Sequence, residues 1–250
     1  MNEETNVQPT TAAQSDAQEH GPNQQLPLLA LKNVVLLPRS ILPVIVGRPT
    51  SIEAVEHALT VNKMLFVSAQ KHQDVEQPTI NDVYAHGTRA TILQVMRIPN
   101  GALKILVEGV CRAHITGPVS PSAHQFLSVY VQDVPTRGLD EHTPELEAIW
   151  RRVKELYAQY TQINPHAPKE LIGIIRFVHE IDMTADTIAA HLNLAFDERQ
   201  SILEQDNIQQ KLYKLAALLQ REIAIIETER RIQNRMQQQV EKNQREYYLT

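Results

Sequence analysis

Apolar and polar residues follow different rhythms in the two halves of the chain. In the first half they form short runs or strict alternations. Leu28–Leu31 and Ile41–Val46 are short apolar runs separated by Pro38, and Met64–Ala69 reads as a buried strand. Leu103, Ile105 and Val107 alternate with Lys104 and Glu108, the period of a half-buried strand. Arg89–Ile98 and Ala102–Glu108 flank Pro99-Asn100-Gly101, which predicts a hairpin whose Asn-Gly pair supplies positive φ angles. Phe126–Val134 is one more strand. Between them, Pro49-Thr50-Ser51-Ile52-Glu53 opens a helix, with Thr50 as the expected cap and Glu53 closing a capping box. About six strands around one helix suggest a small, closed or nearly closed β structure.

In the second half the period changes to that of a helix. Thr143-Pro144 is a helix start, and Leu146, Ile149, Val153, Leu156, Tyr160 and Ile163 follow at steps of three and four. Leu171, Ile174, Val178 and Ile181 form the next stripe, Asp186–Leu192 a short helix, and Asp197 with Gln200 a further capping box. From Asn207 to Leu249 nothing interrupts the helical pattern, which allows roughly 64 Å of helix. Its first part carries Ile208, Leu212, Leu215, Leu219, Ile223 and Ile226, enough to dock on a bundle. Beyond Glu227 only Ile232, Met236, Val240 and a Tyr247-Tyr248-Leu249 cluster remain apolar. A stripe that thin cannot hold a bundle, so Ile232, Met236, Val240 and Tyr247 are expected to meet another module or another subunit. The sequence stops without a C-terminal cap, and the expectation is a chain cut within this helix.

Glycine and proline mark the same division. Seven of the 8 glycines and 11 of the 14 prolines precede residue 140, and neither occurs after Gly173. Tight turns need these residues and helix interiors exclude them. The predicted class is therefore α+β: a flexible tail at 1–25, a small β-rich lobe at 26–137, an all-α helical bundle at 138–206, and one long C-terminal helix at 207–250.

Charge is mild overall, at −5, but residues 210–250 hold 8 basic and 5 acidic side chains. Their signs alternate, as on a solvated helix face, so a nucleic-acid arm is disfavoured. No apolar run is long enough to cross a bilayer. The sole cysteine, Cys111, lies between apolar neighbours and reads as a small buried hydrophobe in a reducing compartment. Residues 1–25 contain no Lys or Arg and match neither a secretory signal nor a transit peptide. No Gly-Lys dipeptide offers a phosphate loop, no Gly-x-Ser-x-Gly elbow occurs, and no His or Cys cluster has metal spacing. Paired carboxylates such as Glu145/Glu147 sit at helix starts, where they meet the helix dipole. His179 and His191 are expected to be packing or surface residues. Catalytic, cofactor-binding and metal-binding residues are assigned to none of these positions.

Particular strings carry a resemblance. LPLLALKNVVLLPRSILPVIVGRPTSIEAVE (26–56), GTRATILQVMRIPNGALKILVEGVCRA (87–113), DTIAAHLNL (186–194), RQSILEQDNIQQKL (199–212) and REIAIIETERRIQNRMQQQVEKNQREYYL (221–249) occur in the order found in bacterial Lon proteases, which this chain resembles. The resemblance implies a PUA-like β lobe, a helical lobe and a long helix, here coiled-coil-like, leading to an ATPase module. It also implies a hexameric, cytoplasmic enzyme that degrades misfolded and short-lived proteins with ATP, Mg and a Ser-Lys dyad. The segments bearing that chemistry are not in this sequence, so no catalytic residue carries over. Lys32-Asn33 departs from the Arg-Asp common in the family.

The expected role is non-catalytic substrate recognition and assembly, with unfolded or damaged proteins as partners. The alternatives are a stand-alone PUA-like RNA-binding or chaperone-like protein and a self-contained hydrolase. The acidic β lobe lacks interleaved basic and aromatic residues, against RNA. A recogniser of unfolded chains needs accessible apolar surface with a polar rim. The candidates are Leu36, Leu37 and Ile41 in the loop before the second strand, and Met96 and Pro99 at the hairpin tip.

Overall fold

A computed structural model describes residues 23–120, 125–168, 173 and 180–248. Six strands build the first half: β1 (Gln24–Leu31), β2 (Ile41–Val46), β3 (Met64–Ala69), β4 (His86–Arg97), β5 (Leu103–Pro118) and β6 (Ser128–Asp133). β1 runs parallel to β3; the pairs β3–β4, β4–β5, β5–β6 and β6–β1 are antiparallel and close a five-stranded barrel. β2 adds to the first half of β5, and β6 takes the same edge further along. The closed β structure expected from the sequence is present, with β1 beginning two residues before the expected lobe boundary.

Strand alternation sorts side chains into two cores. Leu26, Leu28, Ala30, Phe66, Ala113, Val129 and Val131 form one. Leu29, Leu31, Leu65, Val67, Ala90, Ile92, Leu103, Ile105 and Val107 form the other, against Val55 and Ala58 of helix α1 (Pro49–Val61). Helix α1 corrects the expected cap. Arg48 occupies that position without a side-chain bond, and Pro49 opens the helix. Glu53 instead accepts from the backbone N–H of Gln125 at 3.3 Å. The hairpin also differs from expectation. Ile98 N–H and Ala102 C=O bond across a three-residue loop at 2.9 Å, and only Gly101 has positive φ, at 84°. A loop of this length needs one left-handed residue at its end, so Asn100 is not called on.

The helices are α2 (Pro144–Ile163), α3 (Ile181–His191), α4 (Phe196–Leu203) and α5 (Ile208–Tyr248). Thr143 caps α2 as the sequence predicts, its hydroxyl oxygen accepting from Leu146 N–H at 3.1 Å. Helix α3 starts five residues earlier than expected, and within it the Thr184 and Thr187 hydroxyls donate to the carbonyls of Glu180 and Met183, one turn back. At α4 the expected Asp197–Gln200 box is replaced by Glu198, whose carboxylate accepts from Ala195 N–H at 2.9 Å. Leu171, Ile174, Val178 and His179 lie outside the described residues. His191 is exposed, its Nδ1 2.7 Å from the Thr187 carbonyl oxygen.

The helical core is continuous with the barrel. Leu146, Val153, Leu156, Tyr157, Ile188, Leu212, Leu215 and Leu219 pack with Val35, Leu37 and Ala69. The segment joining β1 to β2 is thus wedged between both halves. The 41 residues of α5 give a helix of about 61 Å.

Candidate functional site

The exposed apolar surface of the barrel is organised by register. Ile45 of β2 pairs with Lys104 of β5, which pairs with Met96 of β4. Side chains directly opposite one another share a face, so these three form a row. Pro43, Leu106 and Gln94 form the next row, and Ile41, Glu108 and Thr91 the one after. Their neighbours Leu103, Ile105 and Val107 point the other way, into the core. Ile41, Ile45 and Met96 are 55%, 69% and 54% exposed. A β-bulge between Ile92 and Gln94 turns Leu93 outward as well. The result is an apolar sheet face carrying a small depression of about 120 Å³ lined by Pro43, Gln94, Met96, Lys104, Ile105 and Leu106. Its charges are Lys104 within it, Glu108 in the row with Ile41, and the Arg97–Glu56 pair near the hairpin.

Of the candidates named from sequence, Ile41 and Met96 stand on this face, and Pro99 is exposed at the adjoining hairpin tip. Leu36 and Leu37 do not belong to it. They are 3% and 1% exposed, Leu36 packed in the core beneath α1 and Leu37 in the helical core. The cause is the path of the loop. Arg39 N–H donates to the Gly109 carbonyl at 2.9 Å and Gly109 N–H donates to that of Ser40 at 3.0 Å, which holds the segment down on β5. Arg39 turns the chain with φ 65°. Pro43, Ile45, Leu93 and Leu106 were missed. All six residues of Ile41–Val46 are apolar, so the sequence shows no phase there, whereas pairing to the alternating β5 would have supplied one.

A larger groove of about 720 Å³ lies between the end of β1, β2 and the start of α1. Leu29, Leu31, Leu42, Val44 and Val46 are among its walls. At its rim Lys32 donates to Glu76 at 2.9 Å, and this hydrogen bond and charge hold the Glu76 carboxyl below its ordinary range. Asn33 adopts φ 57°, a left-handed conformation that Asn tolerates. The departure at Lys32-Asn33 thus leaves an ion pair to a distant partner rather than to the next residue.

On α5, Ile208, Leu212, Leu215, Leu219 and Ile223 are buried. Arg230 donates to the Ile163 carbonyl at the end of α2. Past that bond Ile232, Met236, Val240 and Tyr247 are all more than half exposed. Cys111 is only partly buried, and desolvation pushes its thiol up to about 11, so it stays protonated at neutral pH. Among the described residues, no three His, Cys, Asp or Glu side chains are placed to hold a metal ion, and no helix is long and apolar enough to cross a membrane.

Comparison with known proteins bears on what this surface is for. The family model described as the ATP-dependent protease La (LON) substrate-binding domain matches residues 25–221. Lon protease of Syntrophomonas wolfei is 35% identical over 232 residues, covering 93% of this chain and 28% of that protein. Lon protease of Escherichia coli strain K12 is 36% identical over 225 residues, covering 90% of this chain and 28% of that protein. The chain therefore spans little more than a quarter of the length of these relatives. Among solved structures, the N-terminal domain of Mycobacterium avium complex Lon protease superposes with a TM-score of 0.64 at 24% identity, covering 79% of this chain and 98% of that one. The Lon N-terminal domain protein from Xanthomonas campestris gives 0.54 at 18% identity, covering 78% and 98%. These two likenesses bear on fold, while the sequence match over most of the chain decides the family. The chain belongs to the ATP-dependent protease La (LON) substrate-binding domain family.

Proposed function

We propose that the outer face of β2, β5 and β4 captures apolar stretches of unfolded or damaged proteins for an ATP-dependent serine protease of the Lon type. The observation that carries this is the row of Ile45 and Met96 flanking Lys104, with exposed Ile41 and Pro43 and half-buried Leu106 beside it: accessible apolar side chains on a rigid sheet with a polar rim. Unfolded clients expose apolar segments that such a surface removes from water. The face has Lys104 and, near the hairpin, an Arg97 already paired with Glu56, and no aromatic ring among the residues named, which is a poor partner set for nucleic-acid phosphates and bases. Ile232, Met236, Val240 and Tyr247 would meet a neighbouring module or subunit of a homo-hexamer. ATP, Mg and a Ser-Lys dyad belong, on this reading, to parts of a full-length cytoplasmic enzyme that this sequence does not span.

The test is binding of fluorescently labelled, unfolded casein by the Ile45→Ser/Met96→Ser double variant. Loss of two apolar contacts should weaken binding by about tenfold or more. Unchanged affinity in a variant with the parent's thermal unfolding curve would remove this face as the client site.

A further inference from the structure

Four charged side chains meet at the junction of barrel and helices. Lys211, in the first turn of α5, is wholly buried, its Nζ 2.9 Å from Asp182 Oδ1 and 2.7 Å from Asp186 Oδ1. Asp182 and Asp186 are one turn apart on α3 and so share a face. Arg112 of β5, with 4% of its side chain exposed, lies 3.9 Å from Asp182 Oδ1 through its NH2 group. Its guanidinium also donates to the Gln205 carbonyl and to the Thr136 hydroxyl. Thr136 in turn donates to Asp182 Oδ2 at 2.8 Å. Two basic and two acidic side chains face one another, so their formal charges cancel, and the cluster ties β5, the segment after β6, α3 and the root of α5 together.

We propose that this cluster is a charge-matched joint that fixes the angle between the barrel and α5. Apolar contacts tolerate sliding and repacking with small losses. Buried charges do not, because any other docking angle leaves a cation or carboxylate out of water without its partner. A buried ion pair contributes little net stability over an apolar replacement, and its better-attested use is to select one arrangement among several. The apolar contacts here, Leu37 and Ala69 against the helical core, hold the halves together. The cluster decides how they are set. Arg112 is the member that spans the two halves, since Lys211, Asp182 and Asp186 all lie on helices.

The experiment measures the distance distribution between nitroxide labels at Lys104→Cys on β5 and Gln233→Cys on α5 by double electron–electron resonance, with Cys111→Ser as background. The parent should give one narrow distance. Arg112→Met, folded by circular dichroism, should give a distribution at least twofold broader or a second distance. Arg137→Ala serves as the comparison. It removes the exposed Arg137–Asp206 pair at the same junction but keeps the backbone bonds between these segments, and should leave the distance narrow. Should Arg112→Met fail to fold, Thr136→Val decides: it removes only the bridging hydroxyl and should broaden the distribution in the same direction. An unchanged distance in the folded Arg112 variant, or in Thr136→Val where that variant decides, overturns the proposal. Equal broadening by Arg137→Ala overturns it too.

Discussion

The β-carbon that Gly109 lacks would stand 2.4 Å from the carbonyl oxygen of Leu37. This contact is where the loop before β2 is pressed onto β5, at the point where β5 passes from pairing with β2 to pairing with β6. A side chain there must push backbone rather than a flexible side-chain end. Gly109→Ala should therefore destabilise the protein by about 1–3 kcal/mol, as overpacking does. Urea unfolding of the variant checks this, and an unshifted midpoint would mean the loop can lift.

Leu37 and Met96 should separate cleanly. Leu37→Ala removes a fully buried side chain and should lower stability by about 2–5 kcal/mol. Met96→Ser alters an exposed side chain and should stay within about 0.5 kcal/mol of the parent. Equal effects of the two on the unfolding midpoint would contradict the burial described here.

Acid should weaken the barrel through His114. Its ring lies 5.1 Å from that of His86 across the β4–β5 ladder. Burial, and then the neighbouring His86, lowers the His114 pKa from its ordinary 6.5. A histidine with a depressed folded pKa binds fewer protons folded than unfolded, so stability rises with pH in that window. The contribution is present above 6.5 and is lost as pH falls through the lower folded value. Unfolding midpoints measured from pH 7.5 to 5 should fall for the parent and fall less for His114→Gln. Parallel curves for the two proteins would assign the acid sensitivity elsewhere.

Met236→Ala should leave the thermal unfolding of this chain unchanged to within about 0.5 kcal/mol, because the side chain is exposed. Placed in a full-length Lon-type enzyme, the same substitution should reduce assembly or casein degradation. A large loss of stability in this chain, or normal assembly and degradation in the enzyme, would show that the distal stripe has been misread.

The elements that sequence located well are those whose pattern is complete within one segment. The 103, 105, 107 alternation and the stripe from Leu146 to Tyr160 each carry their own phase. What escaped depends on distant partners. Closure was expected but not which strands make it: β6 meets both β1 and β5, and Arg89 finds Asp133 44 positions away. Leu36 and Leu37 look like loop residues until Gly109 is seen beneath them. The buried joint left one trace: Lys211 falls between Ile208 and Leu215 on the apolar stripe, where a charged residue implies a partner.

On the reading proposed above, a face that holds apolar chains would risk holding copies of itself. β2 is the strand most open to that, since among the described residues it pairs with β5 alone and its sequence is Ile-Leu-Pro-Val-Ile-Val. Pro43 stands in the middle of that edge and supplies no N–H. A second strand laid alongside would find its ladder interrupted after two or three residues, while a loose chain that binds through side chains alone loses nothing. On that reading one proline would separate stickiness toward clients from self-association, and Pro43→Val is the change most expected to make the protein aggregate.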